Sequence, residues 1–120
     1  MANCFEHKKE HEAVVQRAKE NVLLPSDVEK IAKIFHVLAD SNRLKIVLAL
    51  MNGDMCVYHL TEVCESTQSA VSHQLRILRD NHIVKSTRLG KTVEYSLADE
   101  HIRKIVEMGK LHLHCEVGEL

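Results

Sequence analysis

Apolar and polar positions follow two different periods along this chain. Over residues 4–20, Val14, Val15 and Ala18 recur between charges at helical spacing, and Leu24-Pro25 interrupts the pattern. Ser26-Asp27-Val28-Glu29 has the form of a capping box. Val28, Ile31, Ala32, Phe35, Leu38 and Ala39 then share one face of a second predicted helix. Asp40-Ser41-Asn42 closes that helix and caps a third. There Leu44, Ile46, Val47, Leu48, Leu50 and Met51 leave almost no polar face, which predicts the buried centre of the domain. Asn52-Gly53-Asp54 ends it.

Two short helices are predicted next, over about residues 57–64 and 67–81. The tight Glu65-Ser66 connection makes them a helix-turn-helix. In the second, Val71, Leu75 and Leu78 face inward, while Gln68, Ser69, Ser72, His73, Arg76 and Arg79 face outward. After His82 the period shortens to two. Residues 83–87 and 92–97 read as strands, and Arg88-Leu89-Gly90-Lys91 as the turn of a β-hairpin. Asp99 caps a last helix running to about residue 116. The expected fold is mainly α with a small β-hairpin (α+β), a winged helix-turn-helix. It forms a single domain over 1–120, with an N-terminal arm at 1–24, the helix-turn-helix at 57–81, the wing at 83–97 and the last helix at 99–116.

Composition changes this picture little. The 120 residues are 45% hydrophobic and 28% charged, as in an ordinary soluble domain. The longest uncharged apolar run, Ile46 to Met51, is far too short to span a bilayer. The first twelve residues lack a charged-then-apolar leader pattern, so the expected location is cytoplasmic. Four cysteines in such a chain do not read as a disulfide framework. Nine histidines are the oddity, because histidine is the commonest metal ligand.

The net charge is −1, yet its distribution is uneven. From Ser66 to Val93 the bases are Arg76, Arg79, Lys85, Arg88 and Lys91, and the only acid is Asp80. A local basic stripe is the electrostatic footprint of a nucleic-acid face. The amide, hydroxyl and guanidinium groups on the outward face, which carries Gln68, Ser69, Ser72, His73 and Arg76, suit base edges in a major groove. Thr67, Ser69 and Ser72 can donate to phosphates, and Arg88 and Lys91 on the hairpin would meet the adjacent backbone or minor groove. Double-stranded DNA is therefore the expected partner.

Three segments carry a family likeness: residues 37–44 (Val-Leu-Ala-Asp-Ser-Asn-Arg-Leu), residues 69–76 (Ser-Ala-Val-Ser-His-Gln-Leu-Arg) and the Gly90 hairpin. Together they resemble the ArsR/SmtB family of bacterial metal-sensing winged-helix repressors, over about residues 27–115. The resemblance implies a homodimer, joined through its N- and C-terminal helices, that binds a palindromic operator and releases it when metal binds.

The last helix holds the sharper metal signal. His101 and His112 are eleven residues apart, about 1100° of helical rotation, so they share a face roughly 16 Å apart along the axis. One helix cannot bring both to one ion. Two copies packed antiparallel about a two-fold can, giving two equivalent sites. Ile105, Met108 and Gly109 lie on the same side, and a glycine inside a helix, which costs about 1 kcal/mol, fits a close helix–helix approach. Asp99 as N-cap can turn toward His101, and Cys115 and Glu116 follow His112 on its face. Asp99, His101, His112 and either Cys115 or Glu116 make four ligands for a tetrahedral ion, with His114 a further candidate. The arrangement resembles the zinc site on the family's C-terminal helix, where the fourth ligand is usually His or Glu rather than Cys. Zinc is the expected metal, with cobalt or nickel as alternatives.

Cys4 and His7 form a stripe with His11, and brought from the arm of one protomer to Cys56 and His59 of its partner they are expected to make a second, mixed nitrogen and sulfur zinc-type site. The segment Met55-Cys56-Val57-Tyr58-His59-Leu60 resembles the family's cysteine-bearing motif. Toxic-metal sensors of the family carry a second cysteine where Tyr58 stands, which counts against cadmium, lead or arsenite. Cys64 reads as packing. The resemblance also implies an allosteric contact from His112 to backbone at the position of His82. The function expected is a zinc-responsive repressor of metal efflux or storage genes. Two rivals are a thiol- or persulfide-responsive repressor using Cys56 with Cys115 or Cys64, and a zinc enzyme. No His-Glu-x-x-His pattern or nucleophile motif supports the enzyme, and a closed four-ligand site leaves no position for substrate.

Overall fold

The computed structural model describes residues 8–116, with side chains described as far as Cys115. The order of elements is α1 (Lys8–Asn21), α2 (Pro25–Leu38), α3 (Ser41–Leu50), β1 (Met55–Cys56), α4 (Val57–Cys64), α5 (Gln68–Asp80), β2 (Val84–Leu89), β3 (Thr92–Leu97) and α6 (Glu100–Glu116). Contacts divide the chain into two units, Met1–Ala32 and Lys33–Leu120. In the first, α1 buries none of its side chains, and the apolar Val14, Val15 and Val28 lie open. The α2 helix does not use Ser26 as its cap. It begins at Pro25, which has no N–H to leave unsatisfied, and the Leu24 carbonyl accepts from Asp27 and Val28 at 2.9 and 3.0 Å.

The second unit holds the core. Ile46, Val47, Ala49 and Leu50 of α3 are buried at its centre, as their unbroken apolar run requires. Around them pack Leu60 of α4, Val71, Leu75 and Leu78 of α5, Ile83, Val84, Leu97, and Ile102 and Val106 of α6. Asp40 caps α3 by accepting from the Arg43 N–H at 3.0 Å. Thr67 caps α5 in the same way, accepting from Ala70 at 3.2 Å. Between α4 and α5, Glu65 adopts a left-handed conformation (φ 50°), and Ser66 donates back to Thr61 at 3.2 Å. That paired ending lets the chain reverse within two residues.

The sheet has three antiparallel strands in the order β1-β3-β2. Sequence periodicity anticipates the two long strands but not β1, whose two residues pair Met55 with Tyr95 and Cys56 with Glu94. The hairpin turn is also tighter than expected. Leu89 pairs with Thr92, so Arg88 and Leu89 belong to β2 and only Gly90 and Lys91 make the turn. Gly90 has φ +63° and Lys91 stays at negative φ, the arrangement of a type II′ turn. No helix among the described residues is long and apolar enough to cross a membrane.

Candidate nucleic-acid interface and metal centre

Helix α5 is divided as its sequence demands. Val71, Leu75 and Leu78 are buried, whereas Gln68, Ser69, His73 and Arg76 are exposed, with Ser72 half-buried between them. The Thr67 oxygen is occupied as a cap acceptor, which leaves its hydroxyl hydrogen free to donate outward. Arg79 turns to its neighbour Asp80, 3.9 Å away. Arg88, near the end of β2, and Lys91, in the turn, are both exposed. One helix face and one hairpin tip thus present hydroxyl, amide, imidazole and cationic groups to solvent.

The helix-turn-helix is held by an arginine with no local sequence signal. Arg43 Nε donates to the Val37 carbonyl at 2.8 Å, closing the end of α2, and Nη1 donates to Gln74 Oε1 on α5 at 3.3 Å. Gln74 therefore faces the scaffold. A second arginine acts at α6: Arg103 Nη1 donates to the Met51 carbonyl at 2.8 Å, while Nε lies 3.5 Å from Glu100. These contacts, with buried Ile102 and Val106, fix the first half of α6 against the end of α3.

At the start of α6, Asp99 Oδ1 accepts from the Ile102 N–H at 3.2 Å and lies 3.5 Å from His101 Nδ1. The N-cap position brings together two residues that would diverge inside a helix. His101 is 86% exposed at its side chain and faces solvent. In the second half of the helix Met108, Leu111 and Leu113 are all exposed. Phe35, Ile105, Met108, Gly109 and Leu111 line an open trough of about 850 Å³ whose far end carries His112, His114 and Cys115. A Cβ at Gly109 would meet nothing within 4 Å, so packing among the described residues does not account for the glycine.

Among the described residues no three of His, Cys, Asp and Glu converge on one point. For α6 this follows from helix rise, which separates positions 101 and 112 by roughly 16 Å. The Glu116 side chain, Cys4 and His7 lie outside the described residues. Cys56 is half-buried at the N-cap of α4 and makes no capping hydrogen bond, and His59 is exposed one turn further on. His82 is exposed and left-handed (φ 59°) directly after α5, where its N–H donates to the Arg79 carbonyl at 3.0 Å. Cys64 is half-buried against the core, and burial pushes its thiol up from the usual range, with Lys45 opposing in part. Desolvation makes it a poor thiolate, against a role in thiol sensing.

Comparison with known proteins is consistent with this geometry. Residues 40–86 match the family model described as "Bacterial regulatory protein, arsR family". The chain is 39% identical over 103 residues to a cadmium resistance transcriptional regulatory protein CadC homolog of Staphylococcus aureus, covering 85% of this chain and 84% of that protein. It is 38% identical over 103 residues to a transcriptional repressor SmtB homolog of Synechocystis sp., covering 86% and 78%. Among solved structures, the AntR antimony-specific transcriptional repressor superposes with a TM-score of 0.72 at 29% identity, over 83% of this chain and 90% of that one.

Proposed function

The chain belongs to the ArsR family of bacterial regulatory proteins, and from that premise we propose that it is a zinc-responsive transcriptional repressor acting as a cytoplasmic homodimer. The observation that carries this reading is the pairing of Asp99 with exposed His101 at the start of α6, 3.5 Å apart. A second half-set, His112 and Cys115, stands on the same helix beside an open apolar trough. Each protomer then supplies two half-sites, and an antiparallel pair of α6 helices completes both. The open space at Gly109 and the exposed Met108 and Leu111 suit such an approach.

Asp99 and His101 of one subunit, with His112 and Cys115 of the other, would hold the ion; Glu116 is the alternative to Cys115. Zinc suits this mixed nitrogen, oxygen and sulfur set. When bound, it supplies a cross-link that selects one arrangement of the two subunits. With one imidazole nitrogen of His112 holding the metal, its other N–H would be the donor to backbone at His82, just past the end of α5. The DNA-bound arrangement is the metal-free one. Its two α5 helices enter successive major grooves of a palindromic operator through Gln68, Ser69, Ser72, His73 and Arg76. Thr67, Arg88 and Lys91 hold the backbone or minor groove. A coupling of about 1–3 kcal/mol between the two sites is the usual scale for such control. The regulated genes are those for metal efflux or storage. A second site, at Cys56 and His59 of one subunit with Cys4 and His7 from the arm of the other, is part of the same proposal.

Metal stoichiometry and cobalt substitution test the site. In a Cys4→Ser, Cys56→Ser double variant we expect two ions per dimer and a sulfur-to-cobalt charge-transfer band in the near ultraviolet. Cys115→Ser should remove that band. Tight binding without it in the double variant would give the fourth position to Glu116. Loss of all tight binding in that variant would overturn the α6 site.

A further inference from the structure

We propose that Leu89 reads the minor groove, packing on the groove floor and selecting A·T over G·C pairs beside the site that α5 occupies. The inference rests on α5 and the wing as the DNA face, and on neither metal site. The register of the hairpin carries it. Val84 and Leu97 are a buried pair, and alternate positions share a face, so Ser86, Arg88, Val93 and Tyr95 project on the core side. Lys85, Thr87, Leu89, Thr92, Glu94 and Ser96 project on the other side. All of these are polar except Leu89, which is 53% exposed at the last pair before the turn.

Packing among the described residues does not account for a leucine there. The core ends far behind it, since Val84 is the one buried residue of β2, and its partner Thr92 is exposed. A lone exposed leucine is common on protein surfaces, so its flanks have to identify the occupant. Arg88 precedes it on the opposite face and Lys91 lies in the turn. Both are exposed, and among the described residues no hydrogen bond or ion pair engages either. The hairpin's acid, Glu94, stands back from the tip, opposite Thr87. One apolar side chain between two free cations matches a groove with anionic walls and an uncharged floor. The cations meet phosphates, and the leucine meets base edges between them.

Leucine brings no hydrogen-bonding group, so its selectivity comes from what the floor presents. A·T pairs show the acceptors adenine N3 and thymine O2, and G·C adds the guanine N2 amino group, which projects into the groove. Leucine pressed on that amino group takes its water and returns no acceptor, the costly case for a buried donor. A·T-rich steps also narrow the groove and deepen its negative potential, which draws Arg88 and Lys91. Both effects favour A·T under the wing, outside the pairs that α5 reads in the major groove. Leu89 thereby adds sequence recognition to a hairpin whose cations alone hold the backbone.

The test uses the metal-free full chain and a duplex selected by it from a random pool. In flanking A·T pairs adenine is replaced by 2,6-diaminopurine, which adds the minor-groove amino group and leaves the major-groove edge of adenine intact. One such replacement under the wing should weaken binding by the parent at least about fivefold, as a mismatched pair does. Leu89→Asn, whose side-chain carbonyl can accept from that amino group, should bind both duplexes alike. Leu89→Met, which stays apolar, should discriminate as the parent does. Both variants should keep the parent's salt slope, because leucine releases no counterion. A urea midpoint on each variant confirms folding. The proposal is overturned if the parent ignores the added amino group or if Leu89→Asn discriminates as the parent does. Lost operator preference in Arg76→Ala beside either result would leave α5 as the reading helix and overturn the role of Leu89 alone.

Discussion

Asp99 caps α6, and the proposed site gives it a second task that chemistry can separate from the first. Its Oδ1 accepts the Ile102 N–H at 3.2 Å, capping α6, and the same oxygen lies 3.5 Å from His101 Nδ1, where a shared metal would sit. Asparagine caps a helix about as well as aspartate but is a far poorer metal ligand, whereas alanine does neither. Asp99→Ala should therefore cost about 1 kcal/mol of stability from the lost cap. In a chain of 120 residues that lowers the thermal midpoint by roughly 4 °C. Asp99→Asn should lose only about 0.5 kcal/mol, the interaction of the negative charge with the helix N-terminus. Both variants should lose zinc affinity by the same large factor. The assay is thermal unfolding of metal-free protein at one fixed protein concentration, beside a zinc competition titration on the same samples. Should Asp99→Asn bind zinc as tightly as the parent, the carboxylate is not a ligand and the α6 site is wrongly composed. An Asp99→Ala variant as stable as the parent would refute the cap.

Two further outcomes follow from particular residues. Arg76→Ala should relax operator recognition, whereas Lys91→Ala should weaken all sequences alike and reduce the salt slope by about one, both read by fluorescence anisotropy at several salt concentrations. Cys64, its thiol pushed up by burial, holds less thiolate at any given pH than an unburied cysteine. Its alkylation should therefore lag behind that of Cys115 near neutral pH and accelerate only above the ordinary thiol range. Peptide mapping after timed iodoacetamide labelling reads the order, and equal rates would contradict the burial.

What the sequence discloses here is what local physics controls. Asp40, Thr67 and Asp99 announce their caps because the acceptor and the N–H it meets are three residues apart. The inward row Val71, Leu75 and Leu78 is visible because burial imposes the helical period on it. The features that escape detection have distant partners. Arg43 reaches Gln74 across 31 positions and Arg103 reaches Met51 across 52, and neither partner leaves a trace in its own neighbourhood. Strand β1 is two residues long, too short to show a period, and is defined only by Tyr95 and Glu94 opposite. Ser26 was a plausible cap that lost to Pro25, whose fixed φ and missing N–H favour the first helical position. The pairing of Asp99 with His101 was legible as well, because the N-cap geometry of Asp99 and the position of His101 are both local. The rest of the proposed site depends on a second copy of the chain, and there the spacing of His101 and His112 supplies the argument.

The central claim is that metal at the ends of α6 releases DNA held by α5 and the wing. The direct test is operator binding by fluorescence anisotropy, with and without zinc, for the parent and for His101→Ala. The account predicts that zinc weakens the parent's DNA affinity by a factor of roughly ten to a hundred, the span of the coupling expected for such control. His101→Ala should bind metal-free DNA as the parent does and stay bound when zinc is added. A His101→Ala protein that still releases the operator normally on zinc addition would contradict it.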